Sequence, residues 1–148
     1  MKTISVNRKA LRDYEILERV EAGLVLTGTE IKSIRAGRVN LQAAFARVDK
    51  GEVWLHNAHI AEYQEGGIYN HDPIRPRKLL LSRKEIDRLF GVAAQKGLTL
   101  VPLRLYIKKH WAKAEIGLAR GRRQYEKRQV IMKRDAEREM QRTIRRSQ

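Results

Sequence analysis

Two histidines three residues apart, His56 and His59, with Glu62 close behind, are the nearest approach to a metal-ligand spacing in this chain. They fall in a run, Glu52 to Ile60, that alternates as a strand does. On a strand, residues i and i+3 point to opposite faces, so the two imidazoles are expected not to share one ion. The acids Asp72, Glu85 and Asp87 show no spacing that favours paired acid–base work, and pairs distant in sequence stay open. There is no cysteine, which excludes a disulfide, a thiolate metal site and a catalytic thiol. Neither G-x-x-x-x-G-K-[ST] nor G-x-G-x-x-G occurs, so the markers of nucleotide hydrolysis and dinucleotide binding are missing.

Cations are the stronger signal. Lys plus Arg is 32 against 17 Asp plus Glu, a formal net charge of +15 over 148 residues. Such a field draws polyanions, phosphate backbones first among them. Lys9, Arg35, Arg38, Arg75, Arg77 and Lys78 flank turns, with Tyr14, Tyr63 and Tyr69 nearby in sequence. Each charge alone reads as solvated surface. Together with the rings they read as an RNA-binding face, because folded RNA is recognised through phosphate, ribose hydroxyl and stacking contacts.

Those residues need a frame. A chain of this length buries roughly 70% of its unfolded surface, enough for a core without staples. Tyr14 to Ala22 alternates, pauses at Gly23 and resumes over Leu24–Leu26, which predicts a bent or bulged strand. Thr29 is placed to cap a short helix, Glu30 to Ala36, stopped by Gly37, with Glu30 in its first turn. Ala43 to Val48 and Glu52 to Ile60 predict a hairpin turning at Asp49-Lys50-Gly51. Tyr63 to Arg77 reads as a long loop, and long loops inside compact domains tend to carry function. Ser82 and Glu85 make an S-x-x-E start. Ile86, Leu89, Phe90, Ala93 and Ala94 then form one helical face, closed by Gly97. Val101, Leu103, Leu105 and Ile107 alternate with Pro102, Arg104, Tyr106 and Lys108 as a half-buried strand. Ala114, Ile116 and Leu118 repeat the pattern after a turn near Lys109–Lys113. The pattern gives about six antiparallel strands in hairpins with about three short helices. An OB-type barrel is the nucleic-acid-binding form of that class that fits best.

The last 29 residues, from Arg120, hold 11 Lys/Arg against 4 Asp/Glu, a net of +7. They carry too few apolar residues to fold alone. The chain therefore divides into a body, 1–120, and a basic tail, 121–148. Met132, Ala136, Met140 and Ile144 recur every fourth residue, as do Arg134, Arg138, Arg142 and Arg146. A helix would set a basic row beside a narrow apolar row. Like charges at i, i+4 disfavour that helix in isolation. The tail is expected to be disordered when free and helical once phosphates neutralise the arginines.

Several strings together resemble one family. They are Asn7-Arg8-Lys9-Ala10 with Tyr14; Glu21-Ala22-Gly23; Leu26-Thr27-Gly28-Thr29-Glu30-Ile31-Lys32-Ser33; Arg35 and Gly37; Asn70-His71, Pro73 and Arg75-Pro76-Arg77-Lys78-Leu79-Leu80-Leu81; Val101-Pro102-Leu103; and Gly121 onward. The chain resembles, from about residue 7 to 128, the family of small protein B (SmpB), the SsrA-binding proteins of bacterial trans-translation. The resemblance implies an OB-type body that binds the tRNA-like domain of transfer-messenger RNA. It also implies delivery of that RNA to stalled ribosomes together with EF-Tu, the tail entering the decoding centre and the empty messenger path along small-subunit RNA. It implies an adaptor rather than an enzyme, with no cofactor. Asn7, Lys9, Glu30, Lys32, Arg35, Asn40, Asn70, His71, Arg75 and Arg77 become candidate RNA contacts. Glu30 could accept from base amines or ribose hydroxyls, or orient a neighbouring cation; otherwise it is a helix N-terminal charge. Leu79 to Leu81 read as core.

In the tail, Gly121-Arg122-Arg123 stands where the family commonly has G-K-K, and Glu126-Lys127-Arg128 where it has D-K-R. Charge is kept, although Arg and Lys differ in geometry. Tyr125 falls where relatives often carry a ring suited to stacking on RNA. Some relatives have a tryptophan further on; this chain has none there, which leaves Met140 and Ile144 as aliphatic anchors.

Two alternatives stand beside this reading. One is a general structured-RNA or ribosome-associated binder with no dedicated partner. The other is a small barrel nuclease, which would need a catalytic acid, an Arg pair and usually a metal. No apolar run approaches the roughly 20 residues of a membrane span, and the first residues lack a signal-peptide core. The expectation is a cytoplasmic protein without membrane partners, and a monomer.

Overall fold

The computed structural model describes residues 1–122 and 132–142. In chain order the body holds β1 (Lys2–Val6), α1 (Arg8–Asp13), β2 (Tyr14–Leu24), α2 (Gly28–Arg35), β3 (Val39–Asn40), β4 (Phe45–Asp49), β5 (Glu52–His56) and β6 (His59–Ile60). A 3-10 turn at Gly67–Tyr69 follows, then β7 (Arg77–Leu80), α3 (Arg83–Lys96), β8 (Thr99–Lys108) and β9 (Trp111–Gly121). Residues 132–142 of the tail form a further helix, α4.

The strands pair in the order β1-β8-β4-β5-β7-β2-β9, and β8 also pairs with β9. Six strands therefore close on themselves as a ring, β8-β4-β5-β7-β2-β9, with every junction antiparallel. This is the mainly antiparallel fold with helices that the sequence predicts. One flank is long: β2 lies along β9 from Tyr14↔Gly121 to Gly23↔Lys113. The junction of β4 with β8 rests on a single register pair, Ala46↔Leu100. There α3 covers the gap, its Phe90, Ala93 and Ala94 lining one cleft with Ala46, Val48 and Leu100.

Register shifts interrupt β2 between Ile16 and Glu18 and β8 between Pro102 and Arg104. Such a shift sends the side chains on either side of it to opposite faces. Hence Leu100 and Leu105 face the main core. Val101 and Leu103 instead join Ala10 and Ala119 in a second cluster, packed with Leu11, Tyr14 and Ile16. β8 is thus buried on both faces over Leu100–Leu103 rather than half-buried, because α1 covers its outer side. Gly117 sits opposite: a Cβ there would lie 2.9 Å from Leu103 Cδ1.

The hairpins turn where the sequence places them. Lys50 and Gly51 have φ of 52° and 78°, and Lys109 and His110 have 50° and 70°. Two successive left-handed residues match the twist of the strands they join. The Ser82 hydroxyl accepts from the Glu85 N–H at 3.2 Å, and Gly97 ends α3 in the left-handed conformation. Three local features differ from the reading above. β1 and α1 are additional; β1 holds one core-facing residue, Ile4, too weak a period to register. The cap of α2 is Thr27, not Thr29, so the helix begins at Gly28. The run Glu52–Ile60 breaks at Asn57, whose φ is 61°, and resumes as β6 paired with β3.

Candidate nucleic-acid interface

The first turn of α2 builds the centre of the site. Thr27 and Glu30 form a capping box: the Glu30 N–H donates to the Thr27 hydroxyl, and the Thr27 N–H donates to Glu30 Oε1 at 2.8 Å. That geometry aims the Glu30 carboxylate inward. Oε1 also accepts from Arg75 Nη2, and Oε2 accepts from Arg77 Nε at 2.5 Å. Arg77 spends its other N–H groups on the carbonyls of Ala58 (2.5 Å), Asp72 (3.3 Å) and Pro73 (3.1 Å). The side chains of Glu30 and Arg77 are both 0% exposed. Burial alone would push the Glu30 carboxyl up. The bonds from Arg75, the Thr27 N–H and Arg77 outweigh it and hold the group below its ordinary value. Burial likewise draws the Arg77 guanidinium down, against the pull of Glu30.

Neighbouring polar residues lock the long loop onto this centre. His71 is buried; its Nε2 donates to the Ile60 carbonyl at 2.9 Å, since a carbonyl only accepts. Its Nδ1 meets the Thr29 hydroxyl at 2.8 Å. The Asn70 amide clamps both backbone groups of Tyr63, at 2.6 and 3.0 Å. Asn7 is buried at the start of α1, donating to the carbonyls of Leu41 and Pro102 and accepting from the Ala10 N–H.

The ten residues expected at the RNA surface therefore divide. Asn7, Glu30, His71 and Arg77 are buried and satisfied, so as they stand they position other groups instead of reaching a ligand. Asn70 is half-buried and braces its loop. Lys9, Lys32, Arg35 and Asn40 are exposed, and Arg75 reaches solvent with 31% of its side chain. Lys32 Nζ lies 5.3 Å from the Tyr63 ring centroid.

A groove that the sequence reading did not anticipate adjoins Arg35. Leu24, Val25, Leu26, Ile31 and Leu80 form its apolar wall, and Arg35, His110, Trp111 and Lys113 line the rest, around about 370 Å³. Trp111 is 71% exposed, an unusual position for so large an apolar ring. Leu80, read from sequence as core, is also exposed, while Leu79 is buried. Strict alternation along β7 separates the two, and three leucines in a row carry no alternation of their own to show which one faces out.

β9 carries the chain to the tail at Gly121, and the Arg122 N–H donates to the Asp13 carbonyl at 2.9 Å. Arg123, Tyr125, Glu126, Lys127, Arg128 and Ile144 lie outside the described residues. Met132 and Met140 are exposed on α4. Among the described residues no group of three or more His, Cys, Asp or Glu is placed to hold a metal ion, and no helix is long and apolar enough to cross a membrane.

The family model described as "SmpB protein" matches residues 4–146. An SsrA-binding protein of Carboxydothermus hydrogenoformans is 57% identical over 144 residues, 97% of this chain and 97% of the relative. One from Geobacillus kaustophilus is 57% identical over 147 residues, 99% of this chain and 95% of the relative. One from Bacillus cereus is 58% identical over 144 residues, 97% and 93% of the two chains. A solved chain described as "tmRNA-SmpB: a journey to the center of the bacterial ribosome" superposes with a TM-score of 0.69 at 49% identity, covering 86% of this chain and 93% of that one.

Proposed function

The chain belongs to the SmpB protein family, and from that premise we propose that it is the adaptor that binds the tRNA-like domain of transfer-messenger RNA and delivers it to stalled ribosomes for trans-translation. The observation that carries this reading is the agreement, across nearly the whole chain, of the family model with relatives named SsrA-binding protein. The surface supports it: an exposed indole beside apolar walls and a cationic rim is what stacking and phosphate contacts with folded RNA require.

In this reading Lys32, Arg35 and Arg75 bind phosphates along α2 and the long loop. Trp111 and Leu80 take a base or ribose edge in the groove. Glu30 and Arg77 orient Arg75 from below. Lys9 and Asn40 extend the surface. The tail, from Gly121-Arg122-Arg123 through Tyr125 and Glu126-Lys127-Arg128 to Met140 and Ile144, enters the decoding centre and messenger path and is helical there, while the body keeps the RNA. The adaptor works in the cytoplasm as a monomer, delivers its RNA in company with EF-Tu, and performs no chemical step of its own.

The test is equilibrium binding to the tRNA-like RNA domain and to an unrelated folded RNA of equal length, across a salt series. Counterion release weakens both with salt, so the ratio at physiological salt decides. A preference of about a hundredfold, roughly 3 kcal/mol, is expected. Equal affinities with equal salt slopes would leave charge alone as the driving force and favour the general RNA binder.

A further inference from the structure

The outer face of the β4–β5 hairpin is made of unusual residues for a solvated sheet. Inward go Ala46, Val53 and Leu55. Outward, in register, go Phe45 opposite His56 and Arg47 opposite Trp54, with Lys78 of β7 next to Trp54 and ion-paired to Glu52 at 3.3 Å. The Phe45 and His56 rings are stacked, 5.3 Å between centroids and 15° between planes. Arg47 also lies over the Phe45 ring, its Cζ 5.7 Å from the Phe45 centroid. Arg47 is exposed and has no acidic partner among the described residues. Phe45, Trp54 and His56 are half-buried, so each ring keeps part of its surface open.

A sheet face with ordered rings and flanking cations takes nucleobases by stacking and phosphates by charge. We propose that this face is a second nucleotide-binding surface, separate from α2 and the Trp111 groove, which holds an unpaired RNA nucleotide with its base on Trp54 and its phosphate at Arg47. The proposal rests on the RNA-binding reading above and adds a place for single-stranded RNA. The net charge of +15 argues for this occupant over a second copy of the same chain, which would bring like charge to the face. The preordered Arg47–Phe45–His56 stack lowers the cost of fixing the flanking cation.

The experiment uses the full chain with Trp111→Phe, which leaves Trp54 as the one indole. This protein is titrated with an unstructured oligouridylate decamer and watched by tryptophan emission. Quenching of Trp54 on binding is expected. In the chain with Trp111 retained, Trp54→Ala and Arg47→Ala should each weaken decamer binding about fivefold or more, and Trp54→Phe should restore most of it. Arg47→Ala guards against a folding artefact, since that side chain is exposed. A decamer that binds without quenching, or with affinity indifferent to both variants, overturns the second surface. So does a native chain that self-associates through this face, seen by light scattering and abolished by Trp54→Ala. The native chain is also titrated with the tRNA-like RNA. Binding there without any decamer effect refutes this surface alone, and failure to bind either RNA refutes the parent reading with it.

Discussion

The carboxylate of Glu30 and the guanidinium of Arg77 meet at 2.5 Å with neither side chain exposed to water, although 47 residues separate them in sequence. This pair fastens the start of α2 to β7 and fixes the height of Arg75 above it. Breaking one partner strands the other as a buried, uncompensated charge, which costs about 3–5 kcal/mol. Glu30→Ala should therefore lower stability by that amount in urea unfolding, and weaken RNA capture as Arg75 loses its rest. A loss below about 1 kcal/mol, the range of an exposed pair, would contradict the burial.

Acid should erase that advantage. Glu30 titrates lower in the folded chain than its ordinary value of 4.5, so as pH falls the unfolded chain takes up the proton first. Its stabilising contribution is complete above about 4.5 and disappears as pH falls through the lower folded value. Unfolding curves of the native chain and Glu30→Gln should be far apart at neutral pH and converge at strongly acidic pH. A gap that stays constant across the range would count against it.

The exposed cations predict salt behaviour instead of stability. Lys32→Ala and Arg35→Ala should leave the melting temperature nearly unchanged. Each should reduce the slope of log affinity against log salt for the tRNA-like RNA by about one. Unaltered slopes would remove both residues from the phosphate-contacting surface.

Body and tail should separate by assay. A chain cut after Gly121 keeps every strand of the ring and should bind the tRNA-like RNA at close to native affinity, yet fail to release stalled ribosomes. Tyr125→Ala should have the same profile in milder form. Loss of RNA capture on truncation would show that the tail is part of the capture surface.

Gly117→Ala tests the packing of the second cluster. The new methyl would meet Leu103 Cδ1 at 2.9 Å and Ile16 Cγ2 at 3.3 Å, and such overpacking costs about 1–3 kcal/mol. Shortening the neighbour, Leu103→Val, should cost stability in the native background and recover part of the loss in Gly117→Ala. Simple additivity of the two would mean that the contact is not felt.

Much of the frame could be read from local chemistry. Ser82 and Gly97 bracket α3, and Asp49-Lys50-Gly51 and Lys109–Lys113 mark hairpins, because caps and turns are decided by adjacent residues. The start of α2 differs from the sequence expectation because two hydroxyl residues compete for the cap: Thr27, three residues before Glu30, takes it, and Thr29 does not. The fate of Glu30 was not legible locally. Whether its carboxylate faces RNA or the interior depends on Arg75 and Arg77, which the fold delivers from the long loop and the distant start of β7. The Trp111 groove gathers β2, α2, β7 and the β8–β9 turn, four segments whose meeting no single window of sequence contains.

The long partner of β2 is made late. Residues 14–22 find their register only with residues 114–121, and Lys2 to Val6 with Arg104 to Ile107. A nascent chain that has grown as far as α3 can pair β2 with β7 only at Gly23 and Leu24, and it therefore leaves the Tyr14–Gly23 edge that faces β9 open, the kind of surface that recruits strands from other molecules. Folding of the body therefore waits for the synthesis of β9, and a chain interrupted before residue 111 carries an unpaired strand edge along residues 14–22.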